Sequence, residues 1–181
     1  MHNSLQPIFD KLDADFIDLL EDLKDQPDHV LNEKLTPKTW SIHQTMFHLI
    51  LAEELSLKYV QKKLSFDPAL KNTGIMTFMR SSILSLYFLY PFRVKAPEAI
   101  SDEYLPTDLR FWEVVKRWKD VRKETKEYLA SLPEDMLKKE IYKHPAVGRM
   151  SLKDMLKFFD LHFSRHRKQI NRTMEKVQYV V

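Results

Sequence analysis

An all-α fold, a four-helix bundle, is the architecture this sequence predicts, and three observations predict it. The 181 residues include two glycines, Gly74 and Gly148, too few for the many tight turns of an all-β protein. Apolar residues recur at steps of three and four along several segments, which gathers them on one face of a helix. Serine-led capping patterns open two of these segments, and prolines close others.

The first helix is predicted from about Leu5 to Lys24, because Leu5, Ile8, Phe9, Leu12, Phe16, Leu19, Leu20 and Leu23 share one face. The second starts at Ser41, where SIHQ (Ser41 to Gln44) has the form of a capping box. It fades near Ser65, with Pro68 beyond. A third apolar stretch, Ile75 to Tyr90, is stopped by Pro91. Phe111, Val115, Trp118, Val121, Thr125, Tyr128 and Leu132 mark the next long helix, closed by Pro133. IYKHPAVGRM reads as a loop, and SLKD (Ser151 to Asp154) caps a final helix from about Leu152 to at least Thr173. Four principal helices of about 16 to 25 residues make the bundle, with room for short extra helices in the connections. No repeat or low-complexity tract divides the chain, so one domain over residues 1–181 is expected.

Composition removes several kinds of function. With 44% hydrophobic and 30% charged residues the chain has the balance of a folded globular protein. A net charge of +3 is too small to imply nucleic-acid binding. The absence of cysteine excludes disulfides, thiolate ligands and a cysteine nucleophile. MHNSLQPIFDKLDADF lacks a basic region followed by an apolar run, and Arg80 and three serines interrupt the most apolar segment. Neither a signal peptide nor a membrane span is expected, and a cytoplasmic location follows by default.

The chemistry lies in the histidines. Along the last helix the apolar series Leu152, Met155, Leu156, Phe159 runs on into His162 and then His166, two imidazoles one turn apart on a single face. His48, mid-way along the second helix in line with Ala52, Leu55 and Tyr59, also points inward, whereas His43 is about 140° round the helix from it. Three neutral imidazoles with a fourth position left for water or substrate is the layout of a catalytic rather than a structural zinc site, and nickel accepts the same donors. The plainer alternative is a bundle that binds a ligand or partner without catalysis and keeps its histidines for internal hydrogen bonds. A zincin is excluded, since Phe163 stands where HExxH needs glutamate.

WSIHQTMFHLILAEE (Trp40 to Glu54) and HPAVGRMSLKDMLKFFDLHFSRHRKQI (His144 to Ile170) carry a resemblance that spans most of the chain. It resembles the DinB/YfiT-like superfamily of metal-dependent enzymes. The resemblance implies a four-helix bundle in which His48, His162 and His166 bind the metal, Zn or Ni, with Gln44 and Gln169 as neighbours of the site. It also implies a small-molecule substrate, thiol-dependent S-transfer of the kind that uses bacillithiol or mycothiol, and a homodimer. Metal-assisted hydrolysis is the close second chemistry.

Other residues carry two readings each. Glu53 and Glu54 lie off the His48 face and are expected to be solvated or to pair with a neighbouring helix, a role beside the metal being the sharper alternative. His144, in the HP…G loop, is expected to order that loop rather than line the pocket. Trp40 reads as an apolar lead-in to the capped helix, with pocket lining second. Asp160, Arg165, Arg167, Lys168, Arg172 and Lys176 read as surface. Phe78, Tyr87, Phe88, Tyr90 and Phe92 are assigned first to the core, then to a dimer surface or a substrate wall.

Overall fold

The computed structural model describes residues 2–89 and 105–177. Helix α1 (Gln6–Leu23) begins with Pro7 in its first turn and buries Phe9, Leu12, Phe16, Leu19 and Leu23 along one stripe. A five-residue helix, α2 (Asp28–Asn32), follows. Helix α3 (Ile42–Leu64) opens with the expected capping box: Ser41 Oγ accepts from the Gln44 amide at 3.1 Å, and Gln44 Oε1 accepts from the Ser41 amide at 3.2 Å. Helix α4 covers Ile75–Leu89 and α5 Phe111–Ser131. A short 3-10 turn at Glu134–Lys138 leads to strands β1 (Tyr142–His144) and β2 (Gly148–Met150), and then to α6 (Leu152–Val177).

The four long helices α1, α3, α5 and α6 enclose the core, with α3 packed on both α5 and α6, and α1 on α6. The circle closes between α1 and α5, where Arg122 donates to the Leu12 carbonyl. Helix α4 is a fifth, laid against α6 and β2. One apolar cluster gathers Leu5, Phe9, Leu12, Tyr142, Met150, Leu152 and Phe159, and a second gathers Phe16, Leu19, Ile50, Trp118 and Phe163.

Two local features depart from the sequence expectation. The segment read as a loop is an antiparallel hairpin that pairs Tyr142 with Met150 and His144 with Gly148. Gly148 sits at φ +88°, a left-handed conformation that glycine alone takes without steric cost, and this lets the chain reverse in so few residues. Phe78, assigned to the core, is 72% exposed; it stands on the outer side of α4. Tyr90, Pro91 and Phe92 lie outside the described residues.

Capping also works across the fold. Helix α5 has no side-chain cap of its own at Arg110; instead Asp28 Oδ1 of α2 accepts from the Phe111 amide at 2.8 Å. Asn32 holds the residue two before it, donating to the Leu109 carbonyl at 2.8 Å and accepting from the Leu109 amide at 3.2 Å. Ser151 and Asp154 cap α6 reciprocally, and Asp154 Oδ1 also accepts from Ser81 Oγ of α4 at 2.8 Å. The start of α6 is thereby tied to α4, and His162 follows about two turns later.

Candidate metal centre

Helices α3 and α6 bring His48, His162 and His166 together. One ring nitrogen from each lies within 4.8 Å of the other two, and the Nε2 atoms of His48 and His162 are 3.1 Å apart. Ring centroids are separated by 4.6 to 5.0 Å. Zn–N bonds of about 2.0–2.1 Å in a tetrahedral arrangement set ligand nitrogens about 3.3 Å apart, so small side-chain adjustments satisfy an ion. The donor set therefore fits a divalent metal such as zinc or nickel.

The three rings expose 4, 8 and 9% of their surfaces in the order His48, His162, His166. Burial pushes the His166 pKa down to about 3, with His48 and Arg165 adding to the effect and the Gln169 hydrogen bond opposing it. Burial likewise lowers His162 well below the usual imidazole range, reinforced by His166 and His48. These two rings are thus neutral at physiological pH, the form in which imidazole nitrogen binds metals.

A hydrogen-bonded chain fixes one of the three rings. His166 Nδ1 is 3.0 Å from Gln169 Oε1, the Gln169 amide donates to Thr45 Oγ1 at 3.4 Å, and Thr45 Oγ1 donates to the Ser41 carbonyl at 2.9 Å. With Nδ1 donating to the glutamine, the lone pair of His166 sits on Nε2. This is the arrangement that orients metal-binding histidines. The chain ends on the first turn of α3, the same helix that supplies His48.

Aromatic rings wall the cluster. Trp40, half-buried just ahead of α3, has its ring centroid 4.7 Å from His48 and 6.1 Å from His166. Phe158, one turn before His162, stacks on that ring at 5.1 Å with planes 17° apart. Phe88 of α4 approaches His162 at 5.8 Å. His144 packs beside the cluster on Phe158 and Tyr142, its ring edge-on to Phe158 at 4.6 Å. His144 Nδ1 accepts from the Ala146 amide at 3.2 Å, which orders the hairpin turn and leaves the proton of the neutral ring on Nε2. Burial holds its pKa at about 4.

The pattern that defines the DinB superfamily matches residues 8–170. The chain belongs to the DinB superfamily. No curated protein matches its sequence. The DinB-superfamily match contains all three clustered histidines, a group that could hold a metal ion.

The remaining candidates divide by position. Gln169 and Trp40 touch rings of the histidine cluster. Gln44 spends its side chain in the α3 capping box. Glu53 belongs to a buried cluster between α3 and α5: it accepts from Trp118 Nε1 at 3.0 Å and from Arg122 Nε and Nη2 at 3.2 and 3.1 Å. Arg122 in turn lies over the rings of Phe16, Trp118 and Phe163. Glu54 pairs with Arg117 at 2.7 Å and with Lys58 at 2.5 Å. Both carboxylates thus pair with groups on the neighbouring helix α5, the first of the two roles expected for them. Asp160 pairs with Lys11 and Arg167 with Asp22, both at the surface between α1 and α6. His43 is fully buried away from the cluster, with Asp28 Oδ1 4.0 Å from its Nε2. Leu55, predicted to share the inward face of His48, is 41% exposed. Sequence reasoning missed Thr45 and the stacking role of Phe158; they stand three and four residues before His48 and His162, so helical spacing carried the signal.

Proposed function

We propose that this chain is a metal-dependent enzyme in which His48, His162 and His166 bind zinc or nickel and leave a position for a small-molecule substrate. The observation that supports the reading is the convergence of three buried imidazole nitrogens within 4.8 Å. Such an ion supplies Lewis acidity that lowers the pKa of a coordinated thiol or water toward neutrality. The favoured chemistry is transfer of a low-molecular-weight thiol to an electrophilic acceptor, with hydrolysis as the variant in which water takes the thiol's place.

The chain's own residues prepare this chemistry in three ways. Burial keeps His162 and His166 unprotonated, so no proton has to be displaced when they ligate. Gln169 fixes the tautomer and orientation of His166. Trp40, Phe88 and Phe158 provide apolar walls that exclude water and strengthen electrostatic interactions at the site.

A second reading rests on the 3.1 Å contact between the Nε2 atoms of His48 and His162, which also suits a neutral imidazole pair, one nitrogen donating and the other accepting. Metal analysis separates the two. Protein purified without chelators and reconstituted with zinc or nickel is expected to retain about one ion per chain, and His162→Ala to lose it. Retention below about a tenth of an equivalent would establish the hydrogen-bonded pair instead. A panel of small thiols with a fluorogenic electrophile, run with and without chelator, then tests the transfer; turnover that survives metal removal contradicts it.

A further inference from the structure

Helix α4 turns an apolar face outward. Ile75, Met76, Phe78, Met79, Ile83 and Leu86 are between 49 and 77% exposed, and at 100° per residue they fall within an arc of about 160°. Thr77 and Leu84, both 2% exposed, lie on the opposite side against the rest of the fold. With full surfaces on the order of 200 Å² per side chain, the six present roughly 700 Å², more than the about 300–600 Å² of the largest patch on an ordinary monomer. Cations rim this stripe. On one flank the Arg80 guanidinium donates to the Arg149 carbonyl at 3.2 Å, which places the hairpin there, with Lys143 and Arg149 directly opposite each other and both exposed. On the other flank Ser81 donates to Asp154 Oδ1 at 2.8 Å, and Lys157 Nζ lies 3.7 Å from the same oxygen. Lys71 stands just ahead of the helix, its carbonyl accepting from the Glu140 amide at 2.9 Å.

We propose that this face docks on the surface of an anionic phospholipid membrane, with the α4 stripe in the interface and the flanking cations on the headgroups. Charge complementarity carries the argument. Residues 68–89 and 139–158 hold seven lysines and arginines against two acids, five net positive charges where the whole chain has +3. The remainder of the molecule is therefore net negative, and its field turns this side toward an anionic surface. Both acids are engaged within the fold: Glu140 accepts from Thr77 and lies 3.6 Å from Arg80, and Asp154 closes the α6 cap. Like charges directly opposite on a hairpin repel, and phosphate groups over Lys143 and Arg149 would relieve that repulsion. An apolar stripe bordered by lysine and arginine is the composition of an element that rests about 5–10 Å deep at the headgroup boundary. No helix among the described residues is long and apolar enough to cross a membrane, so α4 lies along the surface. Nucleic acid would meet the cations but leave the stripe in water. A second copy on the same face would bring two cationic rims together. Phe88, on the inner side of the same helix, stands against His162, so the docked element is also a wall of the candidate metal centre, although docking requires no ion there.

Vesicle flotation of the full chain tests this. At about 0.1 M salt the protein is expected to float with phosphatidylcholine vesicles that contain about one third phosphatidylglycerol, and to stay behind with phosphatidylcholine alone. Most of the binding is expected to be lost at about 1 M salt, where the screening length falls to about 3 Å. Replacing Lys143→Gln and Arg149→Gln together is expected to weaken partition about tenfold or more, and Phe78→Glu to abolish it, with unchanged helical circular dichroism because all three side chains are exposed. Lys123→Gln, on the exposed side of α5, is expected to bind as the unmodified chain does. The paired glutamine variant decides the matter if Phe78→Glu fails to fold. Absence of flotation overturns the proposal, and twice the chain mass in light scattering would then assign the stripe to a second copy. Equal binding to both kinds of vesicle overturns it too, as does full binding by the paired glutamine variant.

Discussion

Gln169 is the residue whose small change should say most about the centre. It contributes no ligand atom, yet its carbonyl oxygen is 3.0 Å from His166 Nδ1 and its amide reaches Thr45. Removing it in Gln169→Ala frees the imidazole to rotate and to exchange tautomers. A loss of about tenfold to a hundredfold in metal affinity is expected, measured by competition with a chromophoric chelator, with helicity unchanged. Equal affinities for the two proteins would mean that packing alone orients the ring. The clustered histidines were legible in the sequence because helical spacing states their geometry: His162 and His166 are one turn apart and continue an apolar stripe. For Glu53 a pairing with a neighbouring helix was among the expectations, but its partner was not legible: Arg122 is 69 positions away, and no local pattern names it.

The buried cluster of Glu53, Arg122 and Trp118 joins α3 to α5, and its removal should act on stability rather than on the metal. Glu53→Ala strands the Arg122 guanidinium among Phe16, Trp118 and Phe163 without its carboxylate. A loss of about 3–5 kcal/mol in the free energy of unfolding is expected from urea titration, while metal stoichiometry stays at the level of the unmodified chain. Loss of metal with stability intact would return Glu53 to the site. A milder case is Ser41→Ala, which removes one half of the α3 capping box and is expected to cost about 1 kcal/mol. That box was readable because both of its members lie within four residues. The hairpin was hidden for the opposite reason. Its strands are three residues each, too short for an alternating pattern, and they depend on Gly148 and on the burial of Tyr142 and Met150 in a core assembled from distant helices. Helix α2 was similarly hidden, since five residues define no stripe and its role is to cap a helix far along the chain.

The bundle as a whole gathers imidazoles in places where protonation is costly. His162, His166, His144 and His43 all have pKa values lowered, by burial before any other cause. In the unfolded chain these rings protonate near pH 6.5. The folded, metal-free protein resists taking up those protons until the pH approaches its own lower values, about 4 for His144 and about 3 for His166. The unfolded state therefore binds more protons across this window, so stability is full above about pH 6.5 and falls as the pH descends, by on the order of 1 kcal/mol per pH unit for each such ring. Urea midpoints of chelator-treated protein should drop steeply from pH 6.5 to 4.5, and His144→Phe should flatten the decline; a pH-independent midpoint would contradict the assignment of these rings as buried and neutral. The same crowding gives the molecule a built-in optical signal. The indole of Trp40 lies 4.7 Å from His48, well inside the range over which an excited ring hands its energy to an open-shell ion. Zinc, whose d shell is full, should leave that glow intact, and nickel, whose d shell is not, should darken it. Ultraviolet emission alone would then tell which of the two ions the chain carries.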